Sequence, residues 1–200
     1  MKAIIAKSLL KSYPFTEYRN YITTLFKEGK ATGKEQSEAL VHYTELNEAR
    51  MNRLEKTILV TDDYVQKLRG LQKEYIWLVI SEGWCGDSAQ IVPVIYKMAE
   101  VSENIDLKMV FRDENDELMN LFLTNGTRSI PKLIVLDKNT LTVLGEFGPR
   151  PQAAKQLILD YKAQHGVVDD KGKTALHMWY LHDKGLSTQK EIMELMMAVE

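Results

Sequence analysis

The chain has 200 residues, 44% hydrophobic and 27% charged, which is enough apolar chain to bury a core and too much of it for a disordered or fibrous protein. Lys and Arg total 26 against 28 Asp and Glu, a net charge of −2 that excludes a general field drawing the chain to nucleic acid or a membrane surface. The one cysteine, Cys85, excludes an intramolecular disulfide framework and a multi-cysteine zinc site, and fits a reducing compartment.

At the N-terminus the apolar stretch around Ile4 and Ile5 is broken by Lys7 and is followed by no small-residue cleavage site, so it does not read as a secretory signal. No window reaches the roughly 20 apolar residues of a membrane span. A cytoplasmic protein is expected. From Phe15 to about Lys56, Tyr18, Tyr21, Ile22, Leu25 and Phe26, then Leu40, Tyr43, Leu46 and Leu54, recur at helical spacing, with Gly29 to Gly33 dividing two helices. Such a pair beside a core domain is expected to serve packing rather than binding.

At Tyr75 the pattern becomes a continuous apolar run to Ile80, the length and β-branched content of a buried strand. A helix is expected from about Ser88 to Val101, a strand from Ile105 to Phe111 and a helix near Asp116 to Leu123, an alternation that implies a parallel strand pair with a right-handed crossover. Strands Lys132 to Leu136 and Thr142 to Phe147, with a turn at Asp137 to Asn139, read as an antiparallel hairpin, and a helix from about Pro151 to Gln164 closes the unit. The order is β-α-β-α-β-β-α. The tail from Thr174 holds two more helices divided at Lys184-Gly185, and its methionines Met178, Met193, Met196 and Met197 are expected in the core.

The chemistry concentrates where the first strand ends, at Ser81-Glu-Gly-Trp-Cys-Gly-Asp-Ser88. A cysteine at a helix N-terminus faces unpaired N–H groups and the positive end of the helix dipole, which favour its thiolate. That position makes Cys85 the candidate nucleophile rather than an inert core thiol. Together the element order, Trp84-Cys85-Gly86-Asp87-Ser88 and the Ile130-Pro131 dipeptide opening the third strand resemble the thioredoxin superfamily over residues 57–164. Phe111-Arg-Asp-Glu114 and Arg128-Ser-Ile-Pro-Lys132 look like a bacterial thioredoxin-like family within it.

The resemblance implies an α/β thioredoxin-like fold: a mixed sheet flanked by helices in a domain over 57–164, with helical extensions at 1–56 and 165–200. It makes Cys85 the exposed attacking thiol and Pro131 a cis-proline that presents the Ile130 backbone to an extended substrate. Trp84 would cover the site, and Gly86, Asp87 and Ser88 would contact substrate. The departures all touch one step. A dithiol thioredoxin resolves its mixed disulfide with a second cysteine three residues on, where this chain has Ser88. The buried aspartate that such proteins carry six residues before the nucleophile is here Val79. The two losses together describe a monothiol.

The expected function is therefore monothiol thiol–disulfide exchange, in which Cys85 attacks a protein disulfide or a low-molecular-weight thiol adduct and an external thiol resolves it, with no cofactor. The alternative is a redox-degenerate thioredoxin fold that binds peptides or proteins. A thiol peroxidase is disfavoured because related peroxide-reducing families place a threonine or serine where this chain has Glu82, and a glutaredoxin-like glutathione site because its glycine-rich element is replaced by Gly145 to Pro151. Asp87 opposes the thiolate by charge yet suits the dipole, so sequence does not sign the Cys85 pKa. Ser88 either bonds the thiolate or caps the helix. Glu82 is expected at the surface, and Arg128 as a solvated loop charge. His177 and His182, five apart, share no helical face, and no metal site is expected.

Overall fold

The structure, a computed structural model, describes all of residues 1–200. Helices α1 (Lys2–Leu9), α2 (Phe15–Lys27), α3 (Glu38–Thr57) and α4 (Asp62–Arg69) precede strand β1 (Tyr75–Ser81). Then come α5 (Gly86–Ala99), β2 (Ile105–Phe111), a 3-10 turn at Arg112–Glu114, α6 (Asp116–Leu121), β3 (Lys132–Asp137) and β4 (Val143–Phe147). The chain ends in α7 (Gln152–His165), α8 (Asp170–Asp183) and α9 (Leu186–Val199). The sheet order is β2-β1-β3-β4, with β1 parallel to β2 and antiparallel to β3, and β3 antiparallel to β4. This is the α/β thioredoxin-like architecture with added helices at both ends.

Strand β1 is buried along its whole length because both faces are covered. Its side chains alternate between two cores. Tyr75, Trp77 and Val79 join the larger one, filled by α2, α3, α5 and the C-terminal helices. Ile76, Leu78 and Ile80 join the smaller one, to which α1 contributes Ile5 and α6 contributes Leu118 and Met119. The helices outside 57–164 thus complete both faces of the same sheet. Tyr13 extends the β2 edge by a reciprocal pair of backbone bonds with Met109, at 2.9 and 2.8 Å.

Two helices escape the sequence pattern. Both α1 and α4 are eight residues long and bury few side chains, Ile5 and Ser8 in the first and Leu68 in the second. So short a stripe leaves no readable periodicity.

Helix α3 differs more instructively. Its buried residues are Thr44, Asn47, Glu48, Met51 and Leu54, whereas Tyr43 and Leu46 are exposed. Its polar face can be buried because each group finds a partner. Arg19 of α2 reaches Glu48, Glu55 (2.8 Å) and Asn52 (2.9 Å), and Thr23 donates to Glu48 at 2.5 Å. The apolar residues expected to pack line a cleft instead.

Candidate functional site

Two loops and three helices meet at Cys85. As β1 ends, Ser81 shares a 2.8 Å hydrogen bond with the Tyr18 hydroxyl of α2. The next two residues are held by Thr32, in the α2–α3 connection, and by Asn47 of α3. The Gly83 N–H donates to Thr32 Oγ1 at 3.0 Å, and Asn47 Nδ2 donates to the Gly83 carbonyl at 2.9 Å. Gly83 cannot carry a side chain here, because a Cβ would lie 2.9 Å from Ile22. Trp84 donates from Nε1 to the Thr32 carbonyl at 3.1 Å and stacks its ring under the Arg112 guanidinium at 4.8 Å. The indole is thus fixed at the rim.

Glu82 is only 1% exposed, not a surface residue. Its Oε1 accepts from the Asp113 N–H at 3.0 Å, while Oε2 has no bonded partner. Burial pushes this carboxyl up to about 7, against the pull of Thr32 and the Asp113 amide. The sequence reading missed it because its burial depends on β2 and the Thr32 loop arriving from elsewhere.

Cys85 itself caps α5: Sγ accepts from the Ser88 N–H at 3.5 Å, and its own S–H faces the Ile130 carbonyl at 3.4 Å. Ser88 therefore does not cap the helix; its hydroxyl is buried near the sulfur without a hydrogen-bond partner. The thiol is half-buried rather than exposed. Burial, and then the Asp87 carboxylate, push it up to about 11, against the Ser88 hydroxyl and the Ser88 and Asp87 N–H groups that favour the anion. The helix terminus loses that contest chiefly to burial, with the Asp87 carboxylate at the same turn adding to it.

Asp87 is locked. Arg150 grips it from Nε at 3.0 and 2.9 Å and from Nη2 at 2.7 Å, and the buried Tyr180 hydroxyl of α8 donates to it at 2.8 Å. Arg150 arrives there because the preceding loop lies against Pro131. Gly148, at φ +119, would place a Cβ 2.2 Å from the Pro131 carbonyl oxygen, a contact only glycine allows. The Ile130–Pro131 peptide is cis, and Pro131 is buried. The Ile130 carbonyl accepts the S–H of Cys85 at this corner.

Above Cys85 opens a cleft of about 450 Å³ between α3 on one side and α7 and α8 on the other. Leu40, Tyr43 and Leu46 form one wall; Ile158, Leu176 and His177 form the other; Trp84, Cys85, Gly86 and Asp87 form the floor. His177 stands over Gly86, its Cε1 3.8 Å from where a Cβ would be, while His182 is exposed. Arg128 pairs on the surface with Asp116 and lines no part of the cleft. Of the expected site residues the structure thus gathers Trp84, Cys85, Gly86, Asp87 and Ser88 with Ile130 and Pro131. Sequence missed Thr32, Asn47, Arg150, His177 and Tyr180, which carry no local motif. No helix is long and apolar enough to cross a membrane.

Comparison with known proteins agrees with this geometry. A family model described as Thioredoxin matches residues 33–164. Among solved structures, a protein of unknown function from Pseudomonas aeruginosa superposes with a TM-score of 0.59 at 18% identity, covering 88% of this chain and 96% of its own. An HIV epitope scaffold superposes with a TM-score of 0.57 at 19% identity, covering 89% and 98%. At such identity these two speak for the fold alone, and they share it beyond the segment the family model spans. No curated protein matches significantly in sequence. With the sheet order, the Trp-Cys-Gly turn at the end of its central strand and the family match over most of its length, this chain belongs to the thioredoxin family.

Proposed function

We propose that this chain is a monothiol thiol–disulfide exchange protein with Cys85 as its attacking group. One observation carries the reading: Sγ sits at the N-cap of α5, against the Ile130–Pro131 corner, on the floor of an open cleft. Ser88 leaves no resolving thiol, and Val79 stands where a dithiol thioredoxin carries the acid that serves one. In the exchange Cys85 loses its proton and its sulfur attacks one sulfur of the substrate. The substrate S–S bond breaks, and the departing thiolate leaves with the electron pair and takes up a proton. An external thiol then attacks the mixed disulfide on the substrate sulfur, restoring Cys85 and releasing a disulfide. A reducing compartment, which the lone cysteine suits, supplies such thiols.

The raised pKa sets the pace. With the thiol raised from 9.0 to about 11, thiolate at pH 7 is about 100-fold scarcer than for an unperturbed cysteine. The greater nucleophilicity of a more basic sulfur recovers most of a factor of about ten, leaving unassisted exchange about tenfold slower. Seating a substrate in the cleft supplies the missing rate by orientation. The resting protein is thereby shielded from indiscriminate disulfides.

The experiment is exposure of native protein to glutathione disulfide at pH 8, read by intact mass, with Cys85→Ser as the blank. A single adduct that small thiols remove is expected. A chain that stays unmodified until it is unfolded overturns the exchange reading. That outcome favours the second reading, a redox-silent thioredoxin fold that binds peptides or proteins, to which the raised thiol pKa lends support.

A further inference from the structure

The charges in the cleft are not balanced. Of the cations lining it, Arg150 is neutralised by Asp87 and Lys173 by Asp170 at 3.0 Å. Arg50, on α3, pairs with no carboxylate; its Nη1 donates to the Asn47 side-chain carbonyl at 2.9 Å, and its other donors have no protein partner. It is half-buried, so its charge is less screened than that of a surface arginine. On α8, His177 also lines the cleft, with its Nδ1 buried and without a partner, and it lies close enough to Arg50 for the two to interact. A guanidinium without a carboxylate partner therefore lines the same cleft as His177, beside the apolar Leu40, Tyr43 and Leu46, with the cysteine on the floor.

We propose that this cleft is the seat of an acidic low-molecular-weight thiol or its disulfide, with a carboxylate on Arg50, an amide or carboxylate oxygen within reach of His177, and its sulfur on Cys85. The assignment rests on the exchange reading for its chemistry and deepens it by naming the substrate class. Volume suits the small partner: about 450 Å³ lies within the range of small-molecule sites. Charge argues for the acid, since Arg50 offers a planar fork that carboxylates match. Asn47 couples the seat to the chemistry, because the side chain that accepts from Arg50 also donates to the Gly83 carbonyl two residues before Cys85.

The test separates binding from exchange. S-methylglutathione, which cannot exchange, is titrated into native protein by calorimetry alongside its dimethyl ester. Saturable binding of the acid at least tenfold tighter than the ester is expected, as is protection of Cys85 from alkylation by the bound acid. Arg50→Gln should lose about tenfold in affinity for the acid, with Arg50→Lys falling between it and the wild type because it keeps the charge but not the fork. Equal affinity for acid and ester, or none for either, overturns the assignment whether or not the variants fold. Preferential binding without any adduct from glutathione disulfide keeps the seat and overturns the exchange reading. An adduct without preferential binding does the reverse.

Discussion

The two walls of the Cys85 cleft hold the same short loop by different physics. On the α2–α3 side, the loop backbone is fixed by Thr32 and Asn47 and by contact with Ile22, all uncharged. On the α7–α8 side, Arg150 and Tyr180 do not touch that backbone; they hold the Asp87 carboxylate beside the sulfur, where, after burial, it is the second influence raising the thiol pKa. One wall sets where the sulfur is, and the other holds a charge that adds to burial in keeping it protonated. Position and reactivity can therefore be broken separately.

The largest effect is expected at Glu82, on the positional side. Its carboxyl titrates near 7 in the fold against about 4.5 unfolded, so the native state holds this proton the more tightly. That advantage is complete below about pH 4.5 and is lost as pH rises through 7, where the buried anion costs about 3 kcal/mol. Glu82→Gln should raise stability at pH 8 by up to that amount and leave it nearly unchanged at pH 4, as urea unfolding at the two pH values will show. Parallel profiles for variant and wild type would contradict this.

Asn47→Ala should come next. It leaves the Gly83 carbonyl buried without its donor and frees the Arg50 side chain, at a cost of about 1–3 kcal/mol in urea unfolding. Loosening the loop should also speed Cys85 alkylation in the native state. On the other wall, Asp87→Asn removes the negative charge beside Sγ while keeping an acceptor for Tyr180. It should speed alkylation at pH 7 about tenfold, the consequence of deleting one neighbouring like charge. Arg128→Ala lies outside both walls, in an exposed pair with Asp116, and should change stability by less than about 0.5 kcal/mol and alkylation not at all. An alkylation change there comparable to that of Asp87→Asn would mean that the charge control is not local.

How much of this was legible beforehand follows the same division. The strands, the active-site turn and the Ile130–Pro131 corner are local signals, and residues 75–165 read almost element by element. The walls are not local. Periodicity finds apolar faces, and on α3 it sends Leu40, Tyr43 and Leu46 to the core, yet there the partners provided by α2 and by Gly83 let the polar face be buried instead. Glu82 looks like a surface acid until Asp113 and Thr32 close over it. The sign of the Cys85 shift was undecidable because dipole and Asp87 oppose each other within one turn, and only the depth of the sulfur decides between them.

The most direct test of the account is the pH dependence of Cys85 alkylation in the native wild-type chain, followed by intact mass. A thiol held protonated at the cleft floor predicts a midpoint near 11, far above the reference value of about 8.5. A midpoint at or below that reference would contradict it, showing that the helix terminus outweighs burial and Asp87 at this cysteine.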